Sequence, residues 1–381
     1  MDRTNDGQRI DTIVIGAGQS GLSAGYHLAR RGVPHVIVDA DARIGDHWRQ
    51  HWDSLRLYSP ARSDGLPGMR FPASGYHYPT GREMGDYLEA YAARFDLPVL
   101  SGTRVDAVRS LTGPDGGFVV TAGERRFEAA RVIVATGAFN RPHVPELAIE
   151  LDPSIHQLHS SEYRNPAQLR DGAVLVVGVS HSGADIAFEA ARTHRTMLAG
   201  HAHGQLPFRV IDTWRARIVW PVVVFVASHL LTIRTPVGRK MAPLVRMGGA
   251  PLLRIRSGDL AAAGVERHDA KVVGVTDGKP TLDDGTVLDV ATVIWCTGFR
   301  PDYRWVDVPG FVGVDGWPTG ARGVAASPPG LYFLGVPFTY GFTSMLVAGA
   351  GRDAGYVVDR IAEAVRGEAS TRRIPAASAA R

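Results

Sequence analysis

The stretch Ile13-Val14-Ile15-Gly16-Ala17-Gly18-Gln19-Ser20-Gly21 decides the fold. An apolar strand feeds a GxGxxG turn, small residues between Leu22 and Ala29 open a helix, and a second strand, Val36-Ile37-Val38, ends on Asp39. Strand, turn, helix and following acid together separate a dinucleotide fingerprint from a chance cluster of glycines. Gly16 permits the tight turn, Gly18 lets backbone approach a pyrophosphate, and Gly21 lets the helix pack on the strand. Gln19 and Ser20 lie at the helix N-terminus, where unpaired amides and the dipole favour a phosphate. Asp39 is placed to accept from a ribose hydroxyl.

The pattern recurs in altered form at Val176-Val177-Gly178-Val179-Ser180-His181-Ser182-Gly183, with strand, turn and helix expected over Ala173 to Ala191 and a next strand near Thr196 to Leu198. One chain is therefore expected to hold two dinucleotides. Ser180 replaces the middle glycine, so backbone approaches a pyrophosphate less freely there, although a serine hydroxyl can itself donate. Two more apolar strands share an ending: Val132-Ile133-Val134-Ala135-Thr136-Gly137 and Val293-Ile294-Trp295-Cys296-Thr297-Gly298. Between the first fingerprint and its TG turn, residues 46–78 form a long stretch dense in Trp, Tyr, His, Gly and Pro, and so long a loop in a compact domain points to function. Trp48, Trp52, Arg56 and Tyr58 in this stretch, with Tyr340 near the C-terminus, are candidates for a pocket wall. Further expectations are a helix over Gly85 to Phe95, strands near 103–109, 117–121 and 126–128, a strand at Leu331 to Phe333, a last helix from about Ser344 to Val365, and a disordered tail from Gly367 to Arg381.

Composition narrows the class. The 381 residues, 45% of them hydrophobic, suffice for two cores of ordinary size. A single cysteine, Cys296, excludes an internal disulfide framework and any CxxC redox pair, hence thioredoxin-reductase chemistry. The formal charge is +4, yet the basic residues are scattered and almost all Arg, which argues against nucleic acid as a partner. Met1 to Arg9 is polar and lacks the apolar core of a secretory signal, so a reducing cytoplasm is the expected compartment.

These landmarks resemble the class B flavin-dependent monooxygenases, the group of flavin-containing monooxygenases, Baeyer-Villiger enzymes and YUCCA-type indole-3-pyruvate enzymes. The carriers are GAGQSG at Gly16 to Gly21, IGDHW ending at Trp48, ATG at Ala135 to Gly137, HSSEY at His159 to Tyr163, GVSHSG at Gly178 to Gly183 and CTGFRPD at Cys296 to Asp302. WDSLRLYSPAR at Trp52 to Arg62 and GQLPF at Gly204 to Phe208 are similar to a bacterial subgroup associated with cation-diffusion-facilitator transporters. The resemblance implies an α/β protein of two Rossmann-like units, an FAD domain over 1–150 and 286–381 with an NADP domain, 151–285, inserted in it. It implies FAD on the first fingerprint, with Trp48, Thr136, Gly137 and Asp302 near the nucleotides, and NADPH on the second, with Thr297, Gly298 and His201 nearby. Asp39 suits an unphosphorylated ribose, whereas His201, His203 and Arg195 offer a weak positive field, so NADPH is favoured with NADH as the alternative. The activity implied is attack by a C4a-peroxyflavin, inserting one oxygen atom of O2 into a small, largely apolar substrate.

Departures from the family pattern limit the reaction type. FxGxxxHxxx[FWY] survives only as His159 and Tyr163, and Tyr58 stands where relatives that oxidise amines and sulfides place Asn. Arg56 is a candidate clamp for a 2-keto acid carboxylate. His159 reads as a structural hydrogen bonder rather than a base, the Ser180-His181 neighbours as a turn rather than a hydrolase pair, and His194, His201 and His203 as loop residues rather than metal ligands. The apolar run 218–233, flanked by arginines, reads as a lid or tunnel wall, with shallow membrane contact as the alternative. A monomer or homodimer is expected. Two rival functions stay open: an NAD(P)H-dependent flavin reductase serving a quinone or protein acceptor, and a non-enzymatic redox-sensing flavoprotein.

Overall fold

A computed structural model describes residues 9–112, 116–139, 141–205, 214–246, 249 and 251–372. Ile10–Ile15 is the central strand of a ten-stranded sheet. On one side it pairs in parallel with His35–Val38, which pairs with Val99–Leu100. On the other it pairs with the C-terminal half of Arg125–Val134, and that half carries Leu331–Phe333 on its far edge. The N-terminal half of the same long strand belongs to an antiparallel meander with Phe118–Ala122 and Ala107–Ser110.

The second sheet repeats this plan. Its five strands run in the order Glu266–His268, Thr196–Ala199, Val174–Val177, Thr292–Trp295, His156–His159, all parallel. The hairpin Val272–Thr276 with Lys279–Leu282 follows the third strand in chain order as the meander does in the first unit, but forms a separate two-stranded sheet. Thr292–Trp295 lies inside this second sheet, so in sheet terms the chain returns to the first unit after Trp295, beyond the boundary expected at 286.

Both parallel cores bury their strands on two faces, as such sheets require. Val14, Ile37 and Ile133 point toward the helices Gln19–Arg30, Gly81–Arg94 and Val347–Arg372, while Ile13, Ile15, Val38, Val132 and Val134 pack with Phe118, Tyr303 and Phe311. In the second unit Val174, Val176, Leu198 and Ile294 face one core, and Leu175, Val177, Met197 and Trp295 the other.

Three boundaries differ from expectation. The helix begins at Gly81, four residues early, because Thr80 and Glu83 form a capping box: the Thr80 hydroxyl accepts from the Glu83 N–H at 3.1 Å and the Glu83 carboxylate from the Thr80 N–H at 2.7 Å. The strands expected at 126–128 and 132–134 are one strand, Arg125–Val134. The last helix, Val347–Arg372, carries on through Gly367, where disorder was expected; Arg131 pairs with Glu368 there, which fixes that turn to the sheet. Residues 373–381 lie outside the described residues, as does Phe208 of the GQLPF segment.

Two candidate dinucleotide sites and the loop between them

The three glycines of the first fingerprint do three different things. Gly16 has φ +107°, and a Cβ there would lie 2.7 Å from the Ala135 carbonyl oxygen. A Cβ on Gly21 would lie 1.8 Å from the Gly16 oxygen, so this glycine serves helix-on-strand contact. A Cβ on Gly18 would meet nothing within 4 Å, so Gly18 faces open space at the N-terminus of Gln19–Arg30. The buried turn ends in open space at the helix N-terminus. Asp39 closes its rim: its carboxylate accepts from the Ala17 N–H and, at 2.8 Å, from the Asp41 N–H, with lone pairs remaining for a ribose hydroxyl. Gln19 and Trp48 meet at 3.4 Å, Ser20 is buried beside Gly335, and Gly137 also faces open space while its carbonyl accepts from the Tyr303 hydroxyl at 2.6 Å. Thr136 is exposed next to it.

The second fingerprint has the same mechanics. Gly178 has φ +112°, with the Cys296 oxygen 2.4 Å from where its Cβ would stand; a Cβ on Gly183 would meet the Gly178 oxygen at 1.9 Å. The two TG turns thus recur for a physical reason. Ala135 donates to Ile15 as Cys296 does to Val177, both at 2.8 Å, and each residue's carbonyl then caps the first glycine of its fingerprint. Ser180 stands at the N-cap of His181–Ala190, with Ser182 in the first turn. His181 is committed elsewhere: its ring lies 4.5 Å from that of Tyr58, its Nε2 is 2.9 Å from the Pro251 carbonyl, and burial pushes its pKa down to about 4. That leaves a neutral imidazole donating to Pro251. Thr297 donates to the His143 carbonyl, Gly298 accepts from His159 at 3.0 Å, and Asp302 pairs with Arg304 at 3.0 Å. His159 also meets the Ser161 hydroxyl through Nδ1 at 2.8 Å, so both ring nitrogens are hydrogen-bonded. Tyr163, fully buried, donates to Glu189 at 3.1 Å.

Of the cations expected at the end of the second unit's second strand, only His201 stands there. Arg195 sits at the strand's opposite end, paired with Glu266 at 2.7 Å, and His203 lies against Gly249. A surface hollow lined by Ser154, Arg170, Thr193 and Asp289 lies at that opposite edge as well, away from the strand ends where nucleotides bind in open α/β sheets.

The aromatic stretch joins the two units. Trp52 is buried among Tyr163, Val176, Val179 and Cys296, and so belongs to the second unit's core. Arg56 is exposed and donates to the Tyr78 carbonyl at 2.9 Å; it holds its own loop. Tyr58 donates to Asp185 at 2.9 Å, and Asp185, on the second fingerprint's helix, pairs with Arg254 at 2.6 Å. Burial raises the Tyr58 pKa far above the ordinary value and keeps this hydroxyl a donor. The Asp185 and Arg254 contacts were invisible in the sequence, because no spacing links 58, 185 and 254. Tyr340 carries Arg322 and Arg352 on its ring at 4.4 and 4.5 Å, and its carbonyl accepts from Ile233 at 2.9 Å.

The apolar run forms Trp214–Phe225, followed by a wider turn over Val226–Leu230. It is tied down at both ends: Trp220 donates to Ser63 at 3.0 Å, and Phe342 donates to Leu231 at 2.9 Å. Among the described residues no helix is long and apolar enough to cross a membrane.

Two dinucleotide cradles on one chain define a flavoprotein oxidoreductase. Residues 13–206 match the pyridine nucleotide-disulphide oxidoreductase family. The chain is 36% identical, over 92% of its length and 98% of the relative's, to an uncharacterized CzcO-like oxidoreductase of Geobacillus kaustophilus. It is 28% identical to a probable indole-3-pyruvate monooxygenase, YUCCA9, of Arabidopsis thaliana, over 95% of this chain and 91% of that one. Among solved structures, a flavin-containing monooxygenase from Stenotrophomonas maltophilia matches 94% of this chain and 99% of its own, with 29% identity and a TM-score of 0.77. The chain belongs to the flavin-dependent class B monooxygenases within that wider oxidoreductase family.

Proposed function

We propose that the first unit holds FAD, the second NAD(P)H, and that the enzyme uses O2 to oxygenate a small, largely apolar organic molecule. In this reading the FAD domain is 1–150 together with the segment after Trp295, and the nicotinamide domain lies between. The observation that carries it is a pair of strand–turn–helix fingerprints, each with its first and last glycine closely packed, on a chain without a second thiol. Cys296 is buried, and burial pushes its thiol pKa up, so no dithiol can take electrons from a reduced flavin. They must leave to O2 or to an external acceptor.

When bound, FAD accepts hydride from NAD(P)H and, once reduced, activates O2. The chain's own residues bind and shield. Gly18 and the N-terminus of Gln19–Arg30 receive the FAD pyrophosphate, and Asp39 takes a ribose hydroxyl. Ser180 and the N-terminus of His181–Ala190 receive the second pyrophosphate. Tyr58, Asp185 and Arg254 pin the aromatic stretch to the nicotinamide helix and so fix the spacing of the two ligands. The segment 218–233, tied to Ser63 and Phe342, serves as a lid that excludes water.

The test is the fate of the electrons. Flavin reduced by NAD(P)H without oxygen, then mixed with air, should release less peroxide per reduced coenzyme once a thioether, amine, ketone or aryl 2-keto acid is added. Full peroxide yield with every class, and rapid turnover with a quinone, would favour a flavin reductase instead.

A further inference from the structure

From Thr213 to Gly258 the sequence holds seven arginines, one lysine and no acidic residue, although 38 acids are spread along the whole chain. Two of those cations find partners from other elements: Arg246 pairs with Asp315 at 3.3 Å and Arg254 with Asp185 at 2.6 Å. Arg234, Arg239 and Lys240 are exposed and meet no carboxylate among the described residues. Arg239 donates to the carbonyls of Ile233 and Arg234, at 3.4 and 3.3 Å, and the Arg234 guanidinium lies 5.7 Å from the centre of the Tyr340 ring. A cationic surface without acids of its own takes its counter-charge from outside.

Apolar side chains stand among these cations. Trp220 turns inward to Ser63, and Ala227 and Thr232 are buried, whereas Val222, Phe225, Leu230, Val237 and Leu244 are each half or more exposed. The exposed set is continuous along the chain's path. Phe225 stacks on the exposed ring of His229 at 4.6 Å, the Thr235 hydroxyl donates to the Leu230 carbonyl where Pro236–Arg246 begins, and Val237, Met241 and Leu244 follow on one side of that helix. One side of the segment thus seals the body while the other presents apolar tips flanked by cations, the composition of a surface that meets a partner.

We propose that the outer side of residues 222–244 docks on an anionic lipid surface. Val222, Phe225, Leu230, Val237 and Leu244 enter the boundary between headgroups and acyl chains, and Arg234, Arg239 and Lys240 meet the lipid phosphates. Charge chooses this occupant over a second copy of the chain, because two copies meeting here would bring like charges together. A bilayer also takes single projecting side chains without a matched pocket. The contact is interfacial, since no described helix is long and apolar enough to cross. It requires nothing of the proposed reaction.

Flotation of the full chain with lipid vesicles tests it. The protein should rise with phosphatidylcholine vesicles containing roughly one-third phosphatidylglycerol, bind pure phosphatidylcholine at least about tenfold more weakly, and come off the mixed vesicles as salt is raised. Arg239→Gln with Lys240→Gln should weaken binding to the mixed vesicles about tenfold, and Phe225→Ser with Val237→Ser and Leu244→Ser by at least as much, at unchanged melting temperature because all five side chains are exposed. No binding to either vesicle, or equal binding by wild type and both folded variants, would overturn the proposal. Retention on polyglutamate without vesicle binding would overturn it in favour of an acidic protein partner, and a dimer in ultracentrifugation that the apolar variant abolishes, again without vesicle binding, in favour of a second copy.

Discussion

At the scale of single residues, a Cβ on Gly18 would touch no protein atom, so Gly18→Val should fold normally yet lose its flavin, seen as a colourless protein whose melting temperature matches that of wild-type apoprotein. Retained colour would place FAD elsewhere. Gly183→Val is no counterpart, because its side chain would strike the Gly178 carbonyl; Ser180→Asp instead sets a charge against the second pyrophosphate and should weaken nicotinamide coenzyme while sparing FAD. Asp64 is fully buried, accepts from Ser59 through one oxygen and has no partner for the other, and burial raises its pKa from 3.8 to about 7. The folded state therefore holds this proton more tightly than the unfolded chain does. The favourable contribution is complete below about pH 4 and is lost as pH rises through 7. Asp64→Asn should accordingly leave stability unchanged at pH 4 and raise it at pH 8, by at most about 4 kcal/mol, in denaturant titrations. The glycine roles were legible in the sequence because each is a local requirement of strand, turn and helix. The Asp64 burial was not, since nothing local marks which loop carboxylate the fold will cover.

At the scale of elements, the aromatic stretch is held by a charge network rather than by its aromatics alone. Asp185 and Arg254 are nearly buried, and removing one partner strands the other in a poorly solvated place. Arg254→Met should cost about 3 kcal/mol, and adding Asp185→Asn should recover much of it. Tyr58→Phe should cost only about 1 kcal/mol of stability, because one hydrogen bond is lost, but should slow reduction of FAD by coenzyme if the loop sets ligand spacing. Equal reduction rates in wild type and Tyr58→Phe would make the bond merely structural. The sequence singled out Trp52, Arg56 and Tyr58 as one segment, yet not their individual contacts: Trp52 fills the second core, Arg56 secures Tyr78, and Tyr58 bridges the units. Long-range partners decide such roles, and periodicity carries no information about them.

At the scale of the whole molecule, the plan was legible because it is written twice. Each fingerprint predicts its strand, helix and following strand, and each TG turn marks the strand that caps the fingerprint's first glycine. The boundary at 286 came from the resemblance rather than from the strand pattern, and the pairing of Thr292–Trp295 puts that strand in the second sheet. The account as a whole claims that electrons enter through the second cradle, reach flavin in the first, and end on oxygen that is transferred to an organic substrate. The direct measurement is turnover under isotopically heavy O2, with NADH or NADPH and a panel of thioethers, tertiary amines, ketones and aryl 2-keto acids, read by product mass. The account predicts a product carrying one heavy oxygen atom from at least one class. Heavy peroxide as the sole product from every class, with no labelled or decarboxylated product, would contradict it.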